Sequence, residues 1–430
     1  MKSVVIHWFR RDLRLFDNAA LSMATNSGVP VLPIFIFDTN ILQYLNPEDR
    51  RVGLIYKQLQ DIDLELKSIN SSLKVFHTTP LEAFKELLEQ FKIVKVFTNE
   101  DYEPYAIKRD YEVSKFLKSK NIELVSCKDQ VVFAKQDVLK ADGTPYTVFT
   151  PYSRKWKEAF HSKSTIDNFV VNKSCFLKFS AKLPSITSLG FNSCKSNFPS
   201  VLFDVIQNYA QTRDFPALQG TSKVGFALRF GLLSIRQLVK YAIEQKSETY
   251  LNELIWREFY MMILFHFPQV VDKSFKAQYD KIEWINNEQQ FELWCQGKTG
   301  YPLVDAGMRE LNTTGYMHNR VRMVVASFLT KHLLIDWRWG EAYFASKLLD
   351  YDLSANNGGW QWAAGCGCDA APYFRVFNPT EQQKKFDPEY KYIKKWIPEF
   401  SNKKEYIKPI VDHKFARERV LKVYKNALTQ

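Results

Sequence analysis

The segment ELIWREFY (253–260) places three side chains of different chemistry close together. Glu253 and Trp256 are three residues apart, and Arg257 is four residues from Glu253, so the three are neighbours on the surface of an α-helix. A carboxylate, a flat ring and a phosphate-binding cation suit a nucleobase better than a dry core. A single Trp is more often a packing residue, and the interpretation therefore depends on the trio.

A second unusual segment is DYDLSANNGGWQW (350–362). Its acids, Asn pair, Gly pair and two Trp are not the composition of a helix interior, and glycine allows backbone to approach a ligand closely. Asp350 needs a cationic partner if it is buried, which Arg320 or Arg322 could supply. Eight of the ten tryptophans follow residue 250, so the chemistry is expected in the C-terminal half.

The run TSKVG (221–225) allows two interpretations. Consecutive hydroxyls and free backbone near a helix start could cradle a phosphate, although a plain N-cap is the commoner use of such a run. The seven histidines are scattered and no CxxC pair occurs, so no metal site is predicted. No nucleophile elbow or Walker motif is present, and His318 is expected to have a structural role.

The elements that must position these residues begin with a sheet. Short apolar runs alternate with helical patterns in the first half of the chain, which indicates a parallel sheet covered on both faces. The runs are 4–9, 29–37, 73–77, 93–98 and 122–127. The prediction is a doubly wound α/β domain over 1–130. Ligands of such sheets bind beyond the carboxyl ends of the strands, which here carry Arg10, Arg11, Asp12, Asp38, Asn99 and Asp101.

The remainder of the chain has a different character. Residues 131–198 lack periodicity and are rich in Ser, Lys and Thr, which predicts an interdomain linker. From residue 199 to residue 430, apolar residues recur at i, i+3, i+4 and i+7, as in 250–266 and 318–335, which predicts an all-helical domain. This domain contains all the segments with candidate chemistry.

Composition limits the class of protein. The 430 residues are 46% hydrophobic and 25% charged, which excludes wholesale disorder. The net charge of +12 favours a polyanionic partner, most often nucleic acid. No apolar run reaches the roughly 18 residues that a membrane span needs, and the N-terminus lacks a signal-peptide pattern. A cytoplasmic protein without a membrane partner is expected.

Six motifs together resemble the photolyase/cryptochrome family, and most closely its class I cyclobutane pyrimidine dimer photolyases. The resemblance runs in colinear order from residue 3 to about residue 400. The motifs are WFRRDLRLFDN (8–18), WREFY (256–260), GKTGYPLVDAGMREL (297–311), TGYMHNRVRM (314–323), DYDLSANNGGWQWAAG (350–365) and APYFRVFNP (371–379). The family implies an α/β domain followed by a helical FAD-binding domain.

The resemblance implies FAD, reduced in its working form and held in a U-shape by the helical domain. Arg322 and Asp350 match the family's buried ion pair, and Asn356 matches the position that faces flavin N5. Plant cryptochromes typically carry Asp at that position and insect ones Cys. The positions that match the FAD site are Tyr209, Thr221, Ser222, Lys223, Val224, Gly225, Asn319, Arg322, Asp350, Asp352 and Asn356.

The resemblance also implies DNA containing pyrimidine dimers as the substrate. Glu253 matches the carboxylate that hydrogen-bonds the flipped dimer. The (6-4) photolyases carry histidines where Asn319 and Met323 stand, so this chain departs from that subclass. The positions that match DNA or dimer contacts are Arg213, Trp256, Arg257, Arg320, Met323, Trp362 and Arg375.

In the family mechanism, light-excited reduced FAD passes one electron to the dimer, the cyclobutane ring opens and the electron returns. Glu253 would stabilise the dimer radical anion. Trp360, Trp337 and Trp284 match the family's chain of tryptophans that photoreduces the flavin from the surface.

A second, light-gathering chromophore is expected in the α/β domain. Its candidate ligands, which fit a deazaflavin-type pocket, are Arg51, Asp101, Glu103 and Arg109. Deazaflavin or FMN is favoured over methenyl-folate, because Tyr105 and Ala106 stand where folate-binding members have an Asn-Glu pair. An empty pocket is the other alternative.

Three functions remain open from the sequence. The leading one is a monomeric dimer-repairing enzyme. The runner-up is a cryptochrome-like FAD photoreceptor without repair activity, against which Glu253, Trp256, Met323 and Asn356 stand together. The third, a non-catalytic nucleic-acid-binding protein, leaves the 350–362 segment without an explanation.

Overall fold

The computed structural model describes residues 1–162, 168–192, 199–401 and 406–429. The chain divides into two compact units, each assembled from separate stretches. The first unit is Met1–Ala134, His161–Val201 and Lys223–Tyr241, and the second is Lys135–Phe160, Leu202–Ser222 and Ala242–Gln430. The domain boundaries at 130 and 198 remain predictions, and residues 163–167 and 193–198 of the predicted linker lie outside the described residues.

The first unit contains a five-stranded parallel sheet of order β3-β2-β1-β4-β5. The strands are β1 Ser3–Phe9, β2 Val31–Asp38, β3 Lys74–Thr78, β4 Lys92–Asn99 and β5 Glu123–Cys127. They coincide with the five apolar runs, so the doubly wound α/β prediction is confirmed. The helices before residue 130 are α1 Ala19–Thr25, α2 Thr39–Leu42, α3 Arg50–Lys67, α4 Pro80–Gln90 and α5 Pro104–Lys118.

Strand β1 shows why these runs form a buried sheet. Its alternate side chains enter two different cores: Val5 and Phe9 pack in one, and Ile6 and Trp8 pack in the other. Because both faces are covered, the strand is almost continuously apolar rather than alternating.

Most of the remaining helices belong to the second unit. The exceptions are α8, residues 161–162 of α6 and residues 235–241 of α9, which belong to the first unit. The remaining helices are α6 Phe149–Ser162, α7 Tyr209–Thr212, α8 Gly225–Arg229, α9 Ile235–Glu244, α10 Glu248–His266, α11 Glu288–Cys295, α12 Pro302–Thr314, α13 Asn319–Ser327, α14 Trp337–Lys347, α15 Leu353–Ala364, α16 Pro379–Phe386, α17 Lys391–Trp396 and α18 His413–Thr429. A π-helical turn, Phe328–His332, follows α13. The helical prediction is confirmed, and α6 is a helix that the sequence analysis did not predict.

Part of the WFRRDLRLFDN motif builds a buried charge network inside the first unit. Arg14 contacts Asp129 at 2.8 Å, and Arg236 contacts Asp129 at 2.8 Å and Asp17 at 3.2 Å. All four side chains are buried. Two cations and two anions neutralise each other, which is the condition for keeping such groups out of water. These residues of the motif therefore secure the segment 223–241 within the first unit.

The GKTGYPLVDAGMREL motif has a structural role in the second unit. The fully buried Asp305 carboxylate accepts hydrogen bonds from the Thr299 amide at 2.7 Å, the Gly300 amide at 3.0 Å and the Tyr406 hydroxyl at 2.9 Å. Burial raises the pKa of Asp305 against these hydrogen bonds, which lower it. The motif thus fixes the turn that leads into α12.

Two absences apply to the residues within the described ranges. No helix there combines the length and the apolar character that crossing a membrane requires. No three His, Cys, Asp or Glu side chains in these ranges are grouped so that they could hold a metal ion.

Asp129→Asn should destabilise the protein by about 3–5 kcal/mol, because it removes one of two carboxylates that compensate two buried guanidinium groups. Urea unfolding of the full chain measures this change. The control is Glu123→Gln, which breaks the exposed Lys95–Glu123 pair in the same sheet and should cost less than about 1 kcal/mol. Equal effects of the two variants would contradict the assigned role of the network.

Candidate functional site

A cavity of about 410 Å³, open to solvent at its mouth, lies in the second unit. Residues of α10, α13, α14 and α15 form most of its wall. Twelve residues singled out from the sequence line it: Arg213, Glu253, Trp256, Arg257, Asn319, Arg322, Met323, Asp350, Asp352, Asn356, Trp360 and Trp362. The structure therefore brings together the positions proposed for the flavin ring and those proposed for the dimer.

Helix α15 presents its polar side chains to the cavity because its start is fixed. Asp352 is the N-cap, and its carboxylate accepts hydrogen bonds from the amides of Ser354 at 3.1 Å and Ala355 at 3.3 Å. Asn356 and Gly359 follow at helical spacing and also line the cavity. A cap of this kind sets the register of the helix, and hence which residues face the ligand space.

The two glycines of the NNGG sequence have separate roles. A Cβ on Gly358 would lie 2.3 Å from the Tyr260 ring, so this glycine allows α15 to pack closely on α10. A Cβ on Gly359 would meet no atom within 4 Å, although the residue lines the cavity. Glycine inside a helix is unfavourable relative to Ala by roughly 1 kcal/mol. Packing does not require glycine at position 359, where the missing side chain instead leaves the cavity wall open.

Arg322 is the cationic partner of Asp350. Its Nη2 atom donates to the two carboxylate oxygens at 2.8 and 3.1 Å, and its Nε donates to the Met317 carbonyl at 2.7 Å. Burial alone would lower the pKa of Arg322, but the charge and hydrogen bonds of Asp350 raise it. Arg320, the other candidate, pairs with Asp214 at 2.6 Å instead. The pair thus places a permanent cation and an anion together on the cavity wall.

Asn356 is oriented by a residue that the sequence analysis missed. Its amide nitrogen donates to Glu341 of α14, at 2.7 Å to Oε1 and at 3.1 Å to the carbonyl oxygen. Burial raises the pKa of Glu341, while the Asn356 hydrogen bond lowers it. The contact leaves the Asn356 amide oxygen as the atom that a cavity ligand can use. No local spacing joins the two residues, which are 15 positions apart.

The side of the cavity predicted to bind the dimer carries an ion pair. Arg213 Nη1 lies 2.5 Å from Glu253 Oε1, and both side chains are partly exposed. The indole of Trp256 stacks on Phe149, with centroids 3.7 Å apart and planes within 6°. Phe149 belongs to α6, inside the predicted linker, and no feature of the sequence analysis pointed to it. The stack holds one predicted wall of the pocket in a fixed orientation.

Two arginines predicted to contact DNA outside the cavity lining, Arg320 and Arg375, differ in their surroundings. The Arg320 guanidinium lies 4.4 Å from the Phe386 ring centroid, and its Nη1 lies 3.8 Å from the Met323 sulfur. Arg375 is exposed, and its guanidinium lies 5.2 Å from the Phe377 ring centroid. Arg375 is thus exposed, whereas Arg320 is paired with Asp214. The role of both in contacting phosphates stays a prediction.

The predicted phosphate run is divided between the units. Thr221 Oγ1 contacts the Tyr316 hydroxyl at 3.2 Å, and Ser222 Oγ contacts the Tyr250 hydroxyl at 2.9 Å. Tyr209 packs edge-on against the Tyr250 ring at 5.0 Å. These residues belong to the second unit, whereas Lys223, Val224 and Gly225 belong to the first. Their shared role in phosphate binding stays a prediction.

The three tryptophans proposed for electron transfer differ in burial, and of these Trp360 lines the cavity. Trp360 is buried, and its ring contacts Trp294 at 6.1 Å and Phe344 at 5.0 Å. Trp337 is also buried, and Trp284 is partly exposed and contacts Tyr424. Trp294 was not among the predicted members. The order Trp360, Trp337, Trp284 stays a prediction.

The candidate ligands of the light-gathering chromophore lie among charged side chains, and Arg51 is separate from the others. In the first unit, Arg11 contacts Asp101 at 3.3 Å and Glu103 at 2.8 Å. Burial would raise the pKa of Asp101, but the charges of Arg11 and its neighbouring arginines lower it to about 2. Arg109 contacts Asp110 at 2.9 Å, and Arg51 is paired with Asp49 at 2.5 Å. The structure therefore joins Asp101 to Glu103 and gives Arg51 a neighbour within its own helix start.

Two family models match the chain. Residues 5–168 match the DNA photolyase model, and residues 250–404 match the FAD binding domain of DNA photolyase. The deoxyribodipyrimidine photo-lyase of Vibrio cholerae is 38% identical, over 98% of this chain and 99% of its own length.

Solved structures of photolyases and a cryptochrome have a similar fold. A bacterial class III photolyase from Agrobacterium tumefaciens superposes with a TM-score of 0.90 at 31% identity, covering 100% of this chain and 98% of that one. An archaeal photolyase from Sulfolobus tokodaii with two FAD molecules gives 0.84 at 34%, covering 99% and 100%. A cryptochrome from Synechocystis gives 0.88 at 26%, covering 98% and 99%. With a fold, a cavity and sequence matches that extend over nearly its whole length, the chain belongs to the DNA photolyase family.

Proposed function

We propose that this chain is a deoxyribodipyrimidine photo-lyase that uses light to split cyclobutane pyrimidine dimers in DNA. One observation carries the proposal: a single cavity is lined both by the polar set Arg322, Asp350 and Asn356 and by the base-binding set Glu253 and Trp256. Membership of the photolyase family supports it. The closer assignment to class I rests on the sequence motifs.

The residues present fit FAD. The cavity offers an ion pair and an amide oxygen, which suit the polar edge of a flavin ring, and open space beside Gly359 where a side chain would intrude. When bound and reduced, FAD would supply the photochemistry, which is donation of one electron to the dimer after excitation by light. Redox chemistry of this kind belongs to the cofactor. Arg322, Asp350 and Asn356 would hold the ring and set its electrostatic surroundings.

The protein's own contribution to repair is placement of the substrate. A dimer within a duplex is out of reach, so it must be flipped into the cavity, and a damaged base stacks poorly, which lowers the cost of extrusion. Trp256 and Trp362 would stack against it, and Glu253 would accept a hydrogen bond from its edge. In the structure Glu253 pairs with Arg213, and a phosphate or the dimer would replace that contact.

The affinity for DNA is expected to depend on positive charge. Arg257, Arg320 and Arg375 are the proposed phosphate contacts, and the net charge of +12 attracts the polyanion from a distance. Because each neutralised phosphate releases counterions, affinity should fall steeply with salt. We expect a monomer that acts in the cytoplasm.

A second chromophore is proposed for the first unit, near Asp101, Glu103 and Arg109. A deazaflavin or FMN remains favoured over methenyl-folate, with an empty pocket as the alternative. The relative from Sulfolobus tokodaii, whose structure holds two FAD molecules, supports a flavin-type ligand. The Tyr105 hydroxyl donates to Asp38 at 2.5 Å, so this ring is tied to the end of β2, where folate-binding members place a carboxamide.

The deciding test is repair of a thymine-dimer oligonucleotide by the reduced holoenzyme, in blue light and in darkness. Light-dependent recovery of intact thymines, resolved by chromatography, is the expected result. FAD binding without repair would favour the cryptochrome-like photoreceptor. A colourless protein that cannot be reconstituted with FAD would reject both flavin functions and leave nucleic-acid binding alone.

Trp256→Ala should weaken binding of dimer-containing DNA about 5- to 150-fold, since stacking of a base on an aromatic ring contributes roughly 1–3 kcal/mol. FAD content, measured by absorbance, should stay at the wild-type value. Trp396→Ala, in α17 and away from the cavity lining, is the control and should bind as wild type. Equal affinity of Trp256→Ala and wild type would remove Trp256 from the dimer pocket.

Trp284→Phe should abolish light-driven reduction of oxidised FAD with an external thiol as electron donor, because Phe is far harder to oxidise than Trp. Repair by chemically reduced enzyme should be unchanged. Trp294→Phe is the comparison variant, because Trp294 contacts the Trp360 ring but lies outside the predicted route. If photoreduction is lost in Trp294→Phe and kept in Trp284→Phe, the electron route is a different one.

A further inference from the structure

Lys331 is a buried lysine in the π-helical turn Phe328–His332, with 1% of its surface exposed. Lysine is almost never fully buried without a partner, because an ammonium loses much hydration on leaving water. An apolar side chain of similar length, such as Met, would fill the same space without that cost. The presence of the charge therefore needs a reason, and π-helical turns are frequent at functional sites.

The ammonium is directed at one backbone group. Lys331 Nζ donates to the carbonyl oxygen of Arg375 at 2.8 Å. Within the described ranges, Lys331 has no carboxylate partner, so the carbonyl is its principal compensation. Burial, with the nearby Arg375 charge, lowers the pKa of Lys331 to about 8. The fold thus keeps a costly cation beneath Arg375.

Arg375 belongs to the rim loop, residues 366–378 between α15 and α16. Phe374 beside it is 61% exposed. Phe377, two residues on, is buried and its ring lies 6.3 Å from that of Trp362, which lines the cavity. The rim loop therefore connects an exposed cation and an exposed ring directly to the pocket wall.

A second contact secures the other end of the rim loop. The Asp369 carboxylate accepts a hydrogen bond from the Phe149 amide at 3.0 Å, and Phe149 stacks on Trp256. The rim loop is thus held at Asp369 and at Arg375, once by a carboxylate and once by the Lys331 ammonium. Without the second contact, the part of the loop that carries Arg375 would have its carbonyl unpaired.

We propose that Lys331 is a positioning residue for DNA binding: its ammonium fixes the Arg375 carbonyl and thereby aims the Arg375 guanidinium and the Phe374 ring at the DNA beside the cavity. The inference rests on the proposed function, because it requires Arg375 to contact a DNA phosphate. A lysine with a purely packing role could be replaced by Met with little loss, since well-packed apolar replacements of buried charges are often neutral.

A double-mutant cycle in the FAD-loaded full chain tests the proposal. Lys331→Met, Arg375→Gln and the double variant are titrated with a dimer-containing oligonucleotide by fluorescence anisotropy over a series of KCl concentrations. Arg375→Gln should weaken binding about tenfold and reduce the salt slope by about 1. Lys331→Met should cause a similar loss, and the double variant should lie within about twofold of Arg375→Gln, because residues that act through one contact are not additive.

The matched control is Thr330→Val. Thr330 is the preceding residue, equally buried, and its hydroxyl donates to the Ala326 carbonyl at 2.9 Å rather than to the rim loop. This variant should keep the wild-type salt slope even if its unfolding temperature falls. A structural role for Lys331 would move only the unfolding temperature.

Hydrogen exchange of the DNA-free holoenzyme gives a readout that does not depend on DNA. Amides of residues 371–377 should exchange about tenfold faster in Lys331→Met than in Thr330→Val, because a local contact sets the local opening free energy. Unchanged exchange in this segment would overturn the inference.

The binding data separate the two failures. If Lys331→Met binds dimer DNA with wild-type affinity while Arg375→Gln binds it more weakly, the positioning role is overturned and the proposed function stands. The same holds if the affinity losses of the two single variants multiply in the double variant. If Arg375→Gln binds dimer DNA with wild-type affinity, Arg375 does not contact the DNA and the inference is overturned. Absence of any preference of the wild type for dimer DNA counts against the proposed function, and the exchange measurement then decides the role of Lys331 in the loop.

Discussion

The ion pair between Arg322 and Asp350 is the interaction around which the cavity is organised. Neither charge is tolerable beside an apolar core without the other. Arg322 lies in α13, and Asp350 lies three positions before the first residue of α15. Once Asp350 is held there, Asp352 follows as the N-cap of α15. The cap fixes the register of the helix, and the register turns Asn356 and Gly359 to the cavity. One pair thus determines where a whole row of ligand-facing groups lies.

A polar cavity inside a helical core lowers stability, because its wall lacks the packing that a filled core has. The surrounding contacts are correspondingly close: a Cβ on Gly340 would lie 2.1 Å from the Trp360 ring, and one on Gly358 would lie 2.3 Å from Tyr260. Any ligand that binds the folded chain and not the unfolded one adds stability by mass action. Binding of FAD and integrity of the second unit are therefore linked.

Two of the cations proposed to bind DNA, Arg213 and Arg320, are held in internal ion pairs. Arg213 is held by Glu253, and Arg320 is held by Asp214, the residue next to Arg213. Two adjacent residues, Arg213 and Asp214, thus pair with α10 through Glu253 and with α13 through Arg320. Partly exposed pairs of this kind contribute little to stability. If the proposed DNA contacts are correct, phosphates would replace these pairs at small cost.

Spacing along the chain was sufficient to predict the elements and the residue types of the site. The five apolar runs became the five parallel strands, and Glu253, Trp256 and Arg257 all line the cavity, because these patterns express contacts between near neighbours. Spacing alone left open which arginine pairs with Asp350, since the candidates differ by two positions and the contact spans 28 residues. The family resemblance pointed to Arg322, and the structure confirms that pair. Glu341, Phe149, Trp294 and Lys331 gave no local signal, because each acts through a residue that only tertiary packing brings near. The sequence by itself thus determined the fold class, the family and the chemistry of the cavity, whereas the tertiary structure decided which partners orient that chemistry.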